Sequence, residues 1–363
     1  PTLSCARIIS PRGQTAPARI QKYVKQAMAH SPGQPSTRAI WLIVMLSMLP
    51  AVASAFEFWE TSTGLEGLLE LEFAYGARLR MQDPDEELIA IAHGGVRPNS
   101  GNLDDGTLNY DKGKLVANMV RATGQATLRW GHFGAYFRGY AFYDYENEQH
   151  DRERTPLTRE GLDQVGEGAE LLDAYLSARF EAGNVPVNLR LGDQVINWGE
   201  SRFFVGNGVD VSNPVNLPLF QQPTSTLRDL PVPVGMLWGS AHITPLLILE
   251  AYYQYEWKEA VLPATGSFFA FNDGFFPGGD FIQSTGTFSQ FGPDVSQVTG
   301  IAADTLEAVG IAAFNPRFYQ ASRTRGSQAR NSGQFGLSIG TILPQYNDTK
   351  VSLYFANYHA TLP

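Results

Sequence analysis

The chain has one cysteine, Cys5, in 363 residues, so no disulfide framework holds it together. Charge is scarce at 17% of residues, and acids outnumber bases 36 to 27. No basic cluster stands out, and the net charge of -9 and pI near 5.2 exclude a nucleic-acid surface, which needs grouped cations against phosphates. There is no G-x-S-x-G and no H-E-x-x-H, and His132, His242 and His359 stand in or beside expected strands, where they read as girdle or lumen residues rather than bases. No enzyme and no cofactor is expected, although a hydrolase built into a barrel stays open because triads form by geometry rather than spacing. The apolar run from Ala39 to Leu49 is far shorter than the ~20 residues of a spanning helix.

That run reads instead as the core of a secretory signal. Arg38 precedes it, and Pro50 and AVASA follow, with Ala53 and Ala55 supplying the A-x-A pattern of signal cleavage and Phe56 the expected mature start. Residues 28–55 make a signal of ordinary size beginning at Met28, and residues 1–27 read as upstream sequence or an extended n-region. The expected organisation is therefore 1–27, 28–55 and one mature unit over 56–363.

What is abundant is glycine, 36 residues, with 15 Tyr and 22 Phe. That mixture favours many strands and tight turns over helical bundles. A mean hydropathy of -0.18 does not exclude a membrane protein, because barrel strands turn only alternate residues to lipid. From Leu65 to Met81 the odd positions carry Leu69, Leu71, Phe73, Tyr75 and Leu79, while the even ones carry Glu66, Glu70, Glu72, Arg78 and Arg80. Such period-two alternation recurs over Val120–Trp130, Phe133–Tyr145, Leu172–Ala182, Val187–Val195, Gly235–Ile243, Leu247–Trp257, Phe335–Leu343 and Val351–Tyr358, nine expected strands in all. Gly131-His132 reads as a hairpin turn and Val185-Pro186 as another; Leu172 is expected on the apolar face. The fold class expected is all-β, a transmembrane antiparallel β-barrel whose closing strands lie beyond Pro363, since single-chain bacterial barrels normally count evenly. A secreted β-sandwich also alternates, but it has no need of strands this long with Tyr and Trp at their ends.

The polar face then supplies the lumen candidates: Arg78, Arg80, Arg121, Arg129, Arg138, Asp144, Asp173, Arg179, Glu181 and Arg190. Charges there set solute selectivity, or pair across strands and fill a narrow barrel. Between Trp198 and Pro233 lies an irregular Pro- and Gly-rich stretch unfit to face lipid. It reads as an inward constriction with Trp198, Glu200, Arg202, Asp210 and Asn213, or else as an outer loop. No regular ligand spacing supports a metal at Asp210 and Asn213. The insertion from Pro263 to Asn331 carries Phe268, Phe269, Phe271, Phe275, Phe276 and Phe281, either a greasy vestibule for a hydrophobic small molecule or a loop mini-core. Arg317, Arg323, Arg325 and Arg330 end it and are candidates for lipopolysaccharide phosphates or simple solvation.

The segment GDQVINWGESRFFVGNGVDVSNP from Gly192 to Pro214, with PVP at 231–233, LEAYYQYEW at 249–257 and GQFGLSIG then LYFANYHATLP towards the end, resembles a proteobacterial outer-membrane family catalogued as domain of unknown function 1302. The resemblance runs from about Phe56 to the end of the chain. It implies an outer-membrane protein of a Gram-negative bacterium, in traffic with hydrophobic small molecules. It also implies, as partners, an outer-membrane lipoprotein and a transporter of the resistance-nodulation-division type. The expected function is thus a passive conduit for hydrophobic or amphiphilic molecules, with a plugged structural or surface-interaction barrel as the alternative.

Overall fold

The computed structural model describes residues 7–8, 52–60, 64–89, 93, 95–96, 104–152, 154–198, 211–272, 276–279, 281–283, 320–322, 326 and 328–361. Ten long strands form one antiparallel sheet: β1 (Val52–Glu60), β2 (Leu65–Leu79), β3 (Leu115–Trp130), β4 (Phe133–Asp144), β5 (Glu167–Ala182), β6 (Val185–Gln194), β7 (Val234–His242), β8 (Leu247–Gln254), β9 (Gln334–Leu343) and β10 (Thr349–Asn357). Each pairs with its neighbour in sequence, a pure meander, and the sheet is open rather than closed on itself. Arg7–Ile8 adds two residues beside β1, and Phe281–Gln283 pairs with Gln320–Ser322 in a separate small ladder. No helix among the described residues is long and apolar enough to cross a membrane, which says nothing of strands.

The alternation read from the sequence becomes two faces of opposite character. One transverse row runs Leu128, Ala135, Leu176, Leu191, Leu237, Tyr253 and Phe335 across seven paired strands. Its large members are bare: Leu176 is 60% exposed, Leu191 51% and Leu237 46%. On the other face Arg121, Arg138, Asp173, Gln194, Gln254 and Ser338 are buried. Apolar residues stand outside and polar ones inside, the reverse of an ordinary water-soluble sheet. A local apolar core forms where Ile196, Trp198, Val234, Met236 and Tyr252 meet under the polar face of β7 and β8.

The connections alternate in length. The β3–β4 turn is Gly131-His132, the β5–β6 turn is Gly183-Asn184, and β7–β8 and β9–β10 are joined by residues 243–246 and 344–348. Gly131 and Gly183 sit at φ 58° and 67°, the left-handed region that two-residue hairpins require and that glycine enters freely. The long connections, 80–114, 145–166, 195–233 and 255–333, all leave and rejoin the strands at the opposite end of the meander.

Several expectations need correction. The sheet has ten long strands, not nine, because Val52–Glu60 pairs fully with Leu65–Phe73. Strand β1 starts ahead of the expected cleavage point, and its residues 52–55 pair with Glu70–Phe73. The β5–β6 turn lies before Val185, which already pairs with Ala182. Leu172 is not on the apolar face. A bulge opposite Arg138 breaks the register between Ala174 and Leu171, so Leu172 and Asp173 are both buried while Leu171 is 64% exposed. The extra residue flips the parity of everything before it.

Candidate functional site

The Pro-rich stretch folds back over the polar face as a strap, residues 211–233. Its entry is held by Asn213, whose side chain accepts from Ile196 N at 3.1 Å and donates to Gln194 O at 3.0 Å and Val232 O at 2.9 Å. Asn213 is thus occupied in closing a loop on the core. Asn213→Ala strands three backbone groups in a buried place and is expected to cost about 2 kcal/mol or more, read as a lower midpoint in denaturant unfolding.

Further along, Asn216 accepts from Leu219 N at 2.9 Å and starts the short helix Leu217–Gln221 with Pro218 in its first turn. Gln221 offers its carbonyl to Arg78 Nη2 at 2.7 Å. Pro223 and Thr224 then lie so near Gly76 that a Cβ there would approach Pro223 Cβ to 2.8 Å. Glycine in β2 is what lets the strap lie flat on the strand.

The strap is fastened at Asp229. Its carboxylate takes Arg121 Nη1 at 3.0 Å and Nη2 at 3.1 Å, a two-pronged pair, and Arg138 Nη1 at 3.1 Å. Arg138 also donates from Nε to Asp173 at 2.7 Å, which adjoins Ala174, the partner of Phe137, on the strand opposite. All four are nearly sealed from solvent: Arg121 and Arg138 are 4% exposed, Asp173 6% and Asp229 3%. Two guanidiniums and two carboxylates balance, which is the condition for burying charge at all. Burial works to raise the Asp229 pKa. The hydrogen bonds from Arg121 and from Thr226 N–H, with the fields of Arg121 and Arg138, outweigh burial and hold the carboxyl below the usual range. Next to it Arg228 donates to Gln125 Oε1 at 3.1 Å and to the Tyr136 hydroxyl, and Tyr136 in turn donates to Gln125 at 2.9 Å.

Two cavities flank this knot. One, of about 470 Å³, lies between the strap and β2–β4 and is lined by Glu70, Glu72, Arg121, Gln125, Arg228 and Asp229 among others. The second, also about 470 Å³, lies towards the short-turn end, with Arg129, Arg179 and Arg190 beside Tyr136, Tyr175 and Trp238. Both are of the size that small organic ligands occupy.

The long-connection end is packed differently. Arg80 Nη1 donates to Thr107 O at 2.7 Å and Tyr110 O at 2.9 Å, and Asp144 accepts from Asn118 N and Asn147 N at 3.1 Å each. Both therefore tie loops to strands. Phe268 meets Tyr110 edge-on at 5.4 Å and Phe269 at 5.0 Å, and Arg78 stacks over Phe269 at 4.7 Å. Phe271 meets Phe276 at 4.8 Å; Phe276 is buried and Phe271 exposed. The void beneath them, about 40 Å³, has room for one or two waters. Of the described phenylalanines, Phe276 is buried and Phe268 half-buried, as in a loop mini-core, whereas Phe269 and Phe271 are exposed. Burial pushes the Tyr110 hydroxyl up to about 12, against the opposing field of Arg152.

The chain was compared with known families and proteins. A family described only as protein of unknown function, DUF1302, matches residues 36–363. The chain belongs to the DUF1302 family. No curated protein and no solved structure matches this DUF1302 chain. For it, the geometry therefore carries the functional argument.

Of the expected site residues, Arg78, Arg121, Arg138 and Asp173 meet the strap or the arginine it binds, and Arg129, Arg179 and Arg190 gather in the second cavity. Glu181 lies exposed near the β5–β6 turn and lines neither cavity. Trp198 belongs to the core, with Nε1 donating to Glu250 at 2.7 Å and its ring 4.9 Å from that of Tyr252. Glu200, Arg202, Asp210, Phe275, Arg317, Arg323 and Arg325, and the side chains of Ala53 and Phe281, lie outside the described residues. Sequence reasoning missed Arg228 and Asp229. The only signal was Thr226 three residues ahead of Asp229, a capping-box spacing that marks a turn and not the arginines it will find.

Proposed function

We propose that this protein is an outer-membrane β-barrel of a Gram-negative bacterium that passes hydrophobic or amphiphilic small molecules by binding and diffusion, with the strap as the constriction of its lumen. One observation carries the reading: a ten-strand antiparallel sheet keeps large apolar side chains bare on one face and carries its charges on the other, Arg121, Arg138 and Asp173 among them buried. A face of bare Leu, Phe and Tyr that spans the sheet is stable against lipid, where it meets its own kind, and costly against water. Short turns at one end and long connections at the other fit the two sides of an outer membrane. The signal ending at Ala55 supports export, and Leu176 to Phe335 would stand among lipid chains, with lipopolysaccharide around the outer rim. Family resemblance supports a lipoprotein and a resistance-nodulation-division type transporter as partners.

The buried Arg121–Asp229–Arg138 knot favours a second reading, in which the strap is a permanent plug and the protein acts through its long connections. Membrane fractionation, gel migration and conductance separate these. The full-length protein is expected in outer membranes, to run faster unboiled than boiled in detergent gels, and to give discrete conductance steps in planar bilayers. A membrane protein with the gel shift and no conductance supports the plug. A soluble periplasmic product without the shift overturns both.

A further inference from the structure

The polar face holds three arginines that make no ion pair among the described residues. The ion-paired arginines among the described residues are Arg121, Arg138, Arg152, Arg154 and Arg159; Arg129, Arg179 and Arg190 are not among them. All three line the second cavity, and no carboxylate does. Glu66 stands opposite Arg129 in register and Glu181 two residues beyond Arg179, yet neither lines it. The remaining wall is aromatic and neutral-polar. Arg190 lies 5.3 Å from the Tyr175 ring centre and 4.6 Å from that of Trp238, a stacking that fixes a guanidinium while leaving its N–H edge free for an acceptor. Ser177, Asn188 and His132 add hydrogen-bonding groups.

We propose that this cavity binds the carboxylate head of an amphiphile whose body is aromatic or otherwise flat and apolar. Three like charges in one half-enclosed cavity repel each other, and an anion removes that repulsion while taking charge-assisted hydrogen bonds. Tyr136, Tyr175 and Trp238 offer faces to an apolar body. The chain as a whole carries -9, so the basic cavity is a local well for anions within an otherwise acidic protein. It lies at the short-turn end of the sheet, beside Gly131-His132. The assignment rests on the polar face being the lumen and specifies the molecule that lumen accepts.

The test uses full-length protein in nonionic detergent, with 2-naphthoate and the neutral 2-naphthalenemethanol measured by equilibrium dialysis. Naphthoate is expected to bind at least tenfold more tightly than the alcohol, a preference lost in R179Q/R190Q, where the alcohol binds unchanged. R190K, which keeps the charge, should restore part of the preference. Equal affinity for acid and alcohol, or a preference untouched by R179Q/R190Q, overturns the proposal. Gel migration and bilayer conductance of the same preparations report separately on the barrel. A conducting barrel without acid preference sinks the anion site alone, and acid preference without the gel shift keeps the site and removes the membrane reading.

Discussion

Asp229→Asn is expected to destabilise the protein by about 3–5 kcal/mol, the usual penalty for removing one partner of a buried ion pair, and, on the proposed conduit reading, to raise conductance. The penalty arises because Arg121 and Arg138 are left buried with only Asp173 between them as an acid partner. An asparagine can accept one of their hydrogen bonds but brings no charge. The conductance should rise because the strap then loses its fastening over β3 and β4 and moves off the polar face. Denaturant unfolding and single-channel recording read the two effects, and a variant with unchanged conductance would show that the strap does not constrict. The effect should also depend on pH. The Asp229 pKa is depressed below its ordinary 3.8, so its contribution is fully present above that value and is lost as pH falls through the depressed one. The stability gap between the protein and its Asp229→Asn variant is expected to be constant above 3.8 and to shrink only in stronger acid.

Leu176→Arg is expected to have the other large effect, preventing assembly into membranes or costing about 2–4 kcal/mol if it assembles. Leu176 sits in the middle of the bare face, opposite Ala135 on one side and Leu191 on the other. On the proposed membrane reading, a guanidinium there would have to be carried into hydrocarbon, with the bilayer thinning or water following it. Thr123→Lys is the matched control. It places a charge on the polar face opposite Glu72, where it can pair, and is expected to change stability by no more than about 0.5 kcal/mol. Refolding yield into detergent or lipid vesicles measures both. If Leu176→Arg refolded as well as the parent and were more soluble, the bare face would be a water-facing one.

The sequence made the faces legible because parity is a local property. Leu69, Phe73, Glu70 and Arg78 declare their sides from spacing alone, and Gly131 declares its turn. It misled where two signals overlapped or one was silent. Val52–Glu60 carries both the expected cleavage-site residues and a continuous pairing to β2, and the sequence showed only the first. The bulge at Leu172 and Asp173 leaves no mark in a pattern that counts every second residue, and one inserted residue reversed the side on which Leu172 falls. The arginines of the polar face were visible, but which of them are spent inside the protein was not. That depends on Asp229, which reaches Arg121 across 108 residues of chain and is chosen by docking of the strap rather than by any local rule.

The meander carries a consequence for how the protein comes to be. Every strand pairs with the next in sequence, and the longest separation is between β8 and β9, where Gln254 must meet Gln334 across the long insertion. The five hairpins with short connections, β1–β2, β3–β4, β5–β6, β7–β8 and β9–β10, have little loop to close, and the strap's ionic knot can form only once β3, β4 and β5 are already side by side. Contacts formed after the rate-limiting step govern how long an assembled protein lasts rather than how fast it assembles. The knot is, in kinetic terms, a lock on departure.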